Sequence, residues 1–340
     1  MVLIDETQFK ANLHAHSTHS DGKYSPEYLK QIYKAMGYQI LAITDHEKPV
    51  DHTDLTEDDF LFITGYEAYI RMTPDGTHDQ FLPEMHLNLF ARRHDKCDQI
   101  WPSPCYMKYY RDPYEKEHHP TYGPTTLRML TPENVNRFIE LAHEDGYLVV
   151  YNHPGWSLES ANDIMRYKGL LSIEMCNGNA VSIGRPEYNA NTYDYLLQHG
   201  YRLFTHAADD NHNRVELGKP GCDSFLAWTM FNLRDGVLNY DNVIEAMEKG
   251  SFYATQGPEI RRLEVNGNRV FIRTSPAQRI TLLTNGQYID AKYAENWGET
   301  IDRAEFIIPE RAAYIRFNVT DERGRNADTR AYYKGEDYEV

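Results

Sequence analysis

Residues 12–22 read NLHAHSTHSDG and set His14, His16, His19 and Asp21 within eight positions. Imidazoles and carboxylates in mixed sets are the ligands of Zn, Mn and Fe, and they fit poorly with Ca. On an extended strand His14 and His16 share one face. Phe9, Ala11, Leu13 and Ala15 take the other and suit a core. An HxH pair alone is a weak signal, because exposed or hydrogen-bonded histidines have the same spacing. The signal is accumulation. YQILAITDH ends in Asp45 and His46, and DFLFITGYE ends in Glu67. EMHLNLFAR carries His86, YLVVYNHP ends in His153, and LLSIEMCN carries Glu174. YRLFTHAADDNH supplies His206, Asp209, Asp210 and His212.

Each of these groups stands in or beside an apolar run of strand length. The runs are nearly continuous in apolar character, which suits strands buried on both faces, as in parallel sheets. Helical segments alternate with many of them. SPEYLKQIYKAMG (25–37) offers Ser25 as N-cap, Pro26 at the first helical position and Gly37 as the stop. TPENVNRFIELAHEDG (131–146) repeats that grammar, and segments 189–200 and 241–250 also close on glycine. This alternation predicts an α/β fold of layered or barrel type. If the strands are parallel, their C-terminal ends share one rim, where barrels of this class carry their active sites. His14, His16, Asp21, His46, Glu67, His86, His153, Asp210 and His212 would then converge. So many buried titratable groups are costly without a cation, so convergence makes metal binding the expectation.

Residues 92–130 are too long for an ordinary βα loop. They read equally as a lid or substrate-recognition insertion and as a plain surface excursion. Its His118 and His119 are adjacent and point apart on an extended loop, which marks them as solvent-exposed. After about Gly257 the pattern changes to short β-rich runs broken by NG, GN, SP and RG turns. The predicted division is therefore residues 1–257, carrying the chemistry, and a small all-β domain over 258–340.

The chain has 340 residues and a net charge of −16. That field disfavours extended nucleic-acid or membrane contact, leaving short oligonucleotides open. It does not exclude a small anion held by cations. Four scattered cysteines form no CxxC pair, and residues 1–10 show no leader pattern. No apolar run approaches the length of a membrane span. The expectation is a soluble cytoplasmic protein.

HxHxxxxSDG, then an apolar run ending in TDH, then Glu67, His86, NHP and a terminal DxH, resembles the PHP (polymerase and histidinol phosphatase) family in motif order over residues 12–212. The β-rich tail looks like that of the branch named for carbaryl hydrolase. The resemblance implies a distorted (β/α)7 barrel and a phosphoesterase site with two or three divalent ions (Zn, Mn or Fe). It implies one metal position with His14, His16, Glu67 and Asp210, and a second sharing Glu67 with His86 and His153. A third would use Asp21, His46 and His212, with His19 as an alternative to Asp21. Asp209 and Asp45 are expected to orient ligands from behind. Glu174 reads as an orienting group, a ligand or a hydrogen-bonded strand end.

Glu67, Asp210 and His206 are the expected catalytic residues, with His206 as a general acid or phosphate contact, although its place on the strand ahead of DxH slightly favours a structural role. Arg185 and Arg214 are the candidate clamps for substrate oxygens. The expected activity is hydrolysis of a small phosphate ester. The rival electrophiles are a carboxylic ester, a carbamate or an amide on the same metals. A non-catalytic, metal-stabilised binding module is the remaining class.

Overall fold

The computed structural model describes residues 1–73 and 75–339. The N-terminal half supplies strands β1 (Val2–Ile4), β2 (Phe9–Asn12), β3 (Ile40–Ile43), β4 (Leu61–Arg71) and β5 (Glu84–Ala91). Two short strands, β6 (Gln99–Ile100) and β7 (Thr121–Tyr122), pair within the 92–130 insertion. Then come β8 (Tyr147–Tyr151), β9 (Ser172–Asn177), β10 (Phe204–Ala208), β11 (Trp228–Phe231) and β12 (Phe252–Thr255). Helix α1 (Pro26–Ala35) starts at the expected Ser25, whose side chain accepts from the Tyr28 N–H. Its Leu29, Ile32 and Tyr33 pack on Leu41 and Ile43 of β3. After the short α2 (Pro113–His118), α3 (Pro132–Glu144) is capped by Thr131. It lays Val135, Phe138 and Ile139 against β8 and β9.

The strands run in one large sheet, in the order β10-β9-β8-β5-β4-β3-β2-β11-β12 through this half of the chain. Directions are more mixed than the apolar runs led one to expect. β2, β3 and β4 are parallel, and so are β8, β9 and β10, but β5 lies antiparallel between the two sets. A continuous apolar run tells that both faces are buried and says nothing about direction. The reversal still serves the site. His86 is the third residue of β5, so the start of β5 lies at the rim where its parallel neighbours end. At that rim the two ends of the series meet. The Asp210 N–H donates to the His14 carbonyl (2.8 Å) and the His16 N–H to the Asn211 carbonyl (3.0 Å).

The later residues form β13 (Ile260–Asn266), β14 (Arg269–Ala277), β15 (Arg279–Thr284), β16 (Ile289–Tyr293), β17 (Ile301–Ile307), β18 (Tyr314–Thr320), β19 (Asn326–Thr329) and β20 (Tyr332–Tyr333). All pair antiparallel. The large sheet continues through them, because β12 pairs with β19 and the order runs on as β18-β15-β16. A second sheet, β1-β13-β14-β17, includes the N-terminal strand. Between the two lies a separate apolar core containing Ile4, Tyr253, Leu263, Ile280 and Phe317.

Candidate metal centre

All nine residues expected as ligands come together at the rim. Donor atoms of His14, His16, Glu67 and Asp210 form one group, and those of Glu67, His86 and His153 a second. The third contains Asp21, His46 and His212, with His16 as an additional member. Asp21 rather than His19 faces this group. Glu67 links the first two: its Oε1 lies 3.1 Å from His14 Nε2, 3.0 Å from His86 Nδ1 and 3.3 Å from His153 Nε2. Its Oε2 lies 2.7 Å from His46 Nδ1 and 3.4 Å from His16 Nε2. Asp210 Oδ1 is 3.0 Å from His16 Nε2 and 3.2 Å from His14 Nε2. Asp21 Oδ1 stands 3.3 Å from His212 Nε2 and 3.5 Å from His46 Nε2.

These are lone-pair atoms crowded against one another in a dry place. His14 Nε2, His46 Nδ1, Asp21 Oδ1 and Glu67 Oε2 are buried and have no hydrogen-bond partner of good geometry. Buried polar atoms that converge without partners are costly. Divalent cations satisfy such a set, so the donor chemistry fits them. Without a cation, burial and charge compete. Burial alone would lower the pKa of His86, but Glu67 and Glu84 outweigh it and lift the imidazole to about 9. His14 is likewise raised against its burial by Asp210, Glu67 and Glu174. His46 goes the other way, to about 3, because burial and His16 outweigh its carboxylate neighbours.

The local backbone is shaped for convergence. His153 (φ 26°) and Asp210 (φ 54°) hold left-handed conformations that side-chain-bearing residues rarely adopt. Such strain persists where surroundings enforce it, and it gathers at functional sites. The glycine of SDG has a steric reason. A Cβ on Gly22 would lie 2.1 Å from the His16 carbonyl oxygen.

The residues behind the donors are held by the bonds they make. Glu174 bonds two of the expected ligands: its Oε1 is 2.9 Å from His14 Nδ1, and its Oε2 accepts from the His153 N–H (2.8 Å). Asp45 touches no expected ligand side chain. It accepts from Ser17 and Ser20, through both main-chain N–H and hydroxyl, and so fixes the loop between His16 and Asp21. Asp209 also serves a loop. Its carboxylate accepts from Tyr33 and from the N–H groups of Phe225, Leu226 and Ala227. Burial pushes it up to about 6 against those bonds. His206 is fully buried on β10, with Nδ1 2.9 Å from Ser172 Oγ, and does not line the cavity above the cluster. Its Nε2 lies 4.0 Å from Glu174 Oε1, behind the donor groups. Arg185 also lies off this cavity, donating to the Gly155 carbonyl (3.0 Å) at an adjoining cleft. Arg214 does line it, tied to Asp21 Oδ2 at 3.0 Å.

Other contributors stand out only in three dimensions. Glu84 Oε1 is 3.0 Å from His86 Nε2, leaving Nδ1 for Glu67, and Arg71 holds the other Glu84 oxygen at 2.9 Å. The signal was present, since Glu84 and His86 are two apart on one strand face. The cavity holds about 460 Å³. Besides ligands it is walled by Tyr69, Lys108, Tyr109, Trp156 and Ile183. Lys108 and Tyr109 come from the insertion, which is therefore part of the site wall. Tyr109 stacks on His46, with ring centroids 5.7 Å apart. His118 is exposed and His119 half-buried, and neither joins a donor group.

No family model matches the chain. A DNA polymerase/3'-5' exonuclease PolX of Bacillus subtilis (strain 168) is 30% identical over an alignment of 168 positions that covers 42% of this chain and 29% of that protein. The match thus spans less than a third of the relative. The motif order and the donor groups now stand together. Both agree with the resemblance read from the sequence. Among solved structures, a two-domain protein of Bacteroides vulgatus containing a predicted PHP-like metal-dependent phosphoesterase aligns over 96% of this chain and 94% of its own, at 13% identity and a TM-score of 0.44. A putative metal-dependent phosphoesterase of Bifidobacterium adolescentis covers 69% and 94% at 16% identity and a TM-score of 0.39. An amidohydrolase of Chromobacterium violaceum covers 70% and 96% at 15% identity and a TM-score of 0.38. TM-scores this low leave the functional reading to the site's own geometry.

Proposed function

We propose that this PHP-like protein is a metal-dependent hydrolase whose substrate is a small phosphate ester. The observation that carries the reading is Glu67. Its two oxygens face donors of all three groups, so cations held there would be close neighbours. His14, His16, Glu67 and Asp210 would hold one ion and Glu67, His86 and His153 a second, with Asp21, His46, His212 and His16 available to a third. Zn, Mn or Fe bound there would act as Lewis acids and bring the pKa of water toward neutrality.

The chain's own residues do the rest. Glu174 and Glu84 hold His14 and His86 by the ring nitrogen turned away from the centre, fixing tautomer and orientation. Lys108 and Arg214 present positive charge to an anion at the cavity mouth. Trp156, Tyr109 and Ile183 offer an apolar wall to the leaving group and limit water. No serine or cysteine nucleophile is needed. A cavity of about 460 Å³ suits a small molecule or a short oligonucleotide end. We assign this chemistry to residues 1–257 and give 258–340 none. No helix among the described residues is long and apolar enough to cross a membrane.

The test is a paired assay on metal-loaded protein. We expect turnover of a generic aryl phosphate, competitive inhibition by inorganic phosphate, and loss of both in His16→Ala. Faster turnover of aryl acetates without phosphate inhibition would assign the centre to carbonyl substrates instead.

A further inference from the structure

The large sheet ends at β16, sequence IDAKY, which is bonded to β15 on one side and, among the described residues, to no strand on the other. The Ala294 N–H donates to the Gln278 carbonyl across the β15 side at 3.1 Å. Main-chain groups alternate in direction along a strand. Asp290 and Lys292 therefore turn theirs toward β15, and Ile289, Ala291 and Tyr293 turn theirs outward. The side chains of Ile289 and Tyr293 are 58% and 61% exposed and share a face with Ala291. Asp290 and Lys292 share the opposite face, 3.0 Å from one another.

We propose that β16 pairs antiparallel with β16 of a second copy, about a two-fold axis through Ala291. Such an interface is isologous and must be self-complementary. The sequence meets that condition. Ala291 falls opposite Ala291 of the partner subunit, exchanging both main-chain bonds. Ile289 falls opposite the partner's Tyr293, which covers two exposed apolar side chains on each copy. Asp290 falls opposite the partner's Lys292 in a non-hydrogen-bonded position, where side chains approach most closely.

Charge also selects the register. Outward-facing residues must meet outward-facing residues, so the neighbouring antiparallel registers shift the axis to Asp290 or to Lys292. One sets Asp290 opposite the partner's Asp290 and the other Lys292 opposite the partner's Lys292. Like charges directly opposed are destabilising. Only the register centred on Ala291 joins opposite charges at both positions. A lysine on an edge strand ordinarily discourages pairing; here the aspartate two residues before it converts that discouragement into a choice of partner. An extended peptide of unrelated sequence would find the main-chain groups but not the charge pattern.

Sedimentation velocity of the full chain, from low micromolar to several hundred micromolar, tests the pairing. Wild type should pass from monomer to dimer. Ala291→Pro removes an outward N–H and no bond to β15, so it should remain monomeric while its unfolding curve, taken at dilute concentration, matches wild type. Asp290→Lys should also abolish the dimer, and the swap Asp290→Lys with Lys292→Asp should restore it. A wild-type protein that is monomeric throughout overturns the proposal, as does one whose dimer persists in Ala291→Pro. Failure of the swap to restore association overturns the register. A monomer that instead captures an extended peptide along β16 overturns the choice of occupant.

Discussion

Glu67 was visible in the sequence as the acid closing an apolar run, and the structure adds that it faces five imidazoles at once. The convergence of the other expected donors was legible for the same reason, since a donor side chain at a strand end is a local feature. What supports them was not. Asp45, Asp209 and His206 look like ligand-site residues because they adjoin ligands, yet each is committed to a loop or a neighbour that the chain brings in from far away. Glu84 is the exception, a supporting carboxylate readable from its spacing to His86. Glu84→Gln should weaken metal binding about 10–100-fold, the usual cost of losing a carboxylate behind a ligating imidazole. Titration with a chromophoric competitor measures it, and unchanged affinity would remove Glu84 from that role. The raised pKa of His86, about 9, has its own consequence. Below that value the metal-free imidazole carries a proton, which a cation must displace. Metal affinity should therefore rise with pH from 7 to 9, with protons released on binding. Calorimetry in buffers of differing ionisation enthalpy reads that release, and a heat independent of buffer would contradict it.

Among the elements, helices were better foretold than strand directions. Capping residues and proline at the first turn are local signals, and α1 and α3 begin where Ser25 and Thr131 said they would. The reversal of β5 depends on the connection between β4 and β5, which carries no comparable mark. The insertion was the least legible segment, and its anchorage explains its place. Arg128, fully buried, meets Glu47 Oε2 at 2.7 Å, and Glu47 directly follows the expected ligand His46. Gln99 adds a bond to the same carboxylate, at 2.8 Å. One carboxylate thus joins the insertion to the donor cluster. Glu47→Gln keeps shape and leaves the guanidinium buried without its partner charge, a change that costs about 3–5 kcal/mol in comparable settings. Urea unfolding should show that loss, and hydrogen exchange should rise across 92–130. Lys108→Gln, in the same insertion, should raise KM for an aryl phosphate with little change in kcat or metal content. A fall confined to kcat would place Lys108 elsewhere in the reaction.

For the whole molecule, the sequence changes character near Gly257, and the large sheet runs on across that point. β12 takes β19 as its neighbour, and Ile4 and Tyr253 belong to the later core. Composition shows where strands become short and antiparallel; it does not show which earlier strand they join. A fragment of residues 1–257 should therefore expose the β12 edge and the partners of Ile4, and should aggregate or melt well below the full chain. Light scattering and thermal unfolding check this. A soluble fragment that binds metal as the full chain does would show that the boundary is autonomous after all.

The Met1 amino group meets the Val265 carbonyl at 2.6 Å, across 264 positions of chain, and β2 likewise waits for β11. At the usual pace of about 5–20 residues per second, a ribosome needs roughly 10–50 s to cover that distance. Until Asp210 and His212 are made, within that interval, His14 and His16 belong to an unfinished rim, where a cation bound as proposed would meet fewer donors and exchange readily. An ion held as proposed would then be chosen only when β10 and β11 arrive, by whatever metal the surroundings supply at that moment.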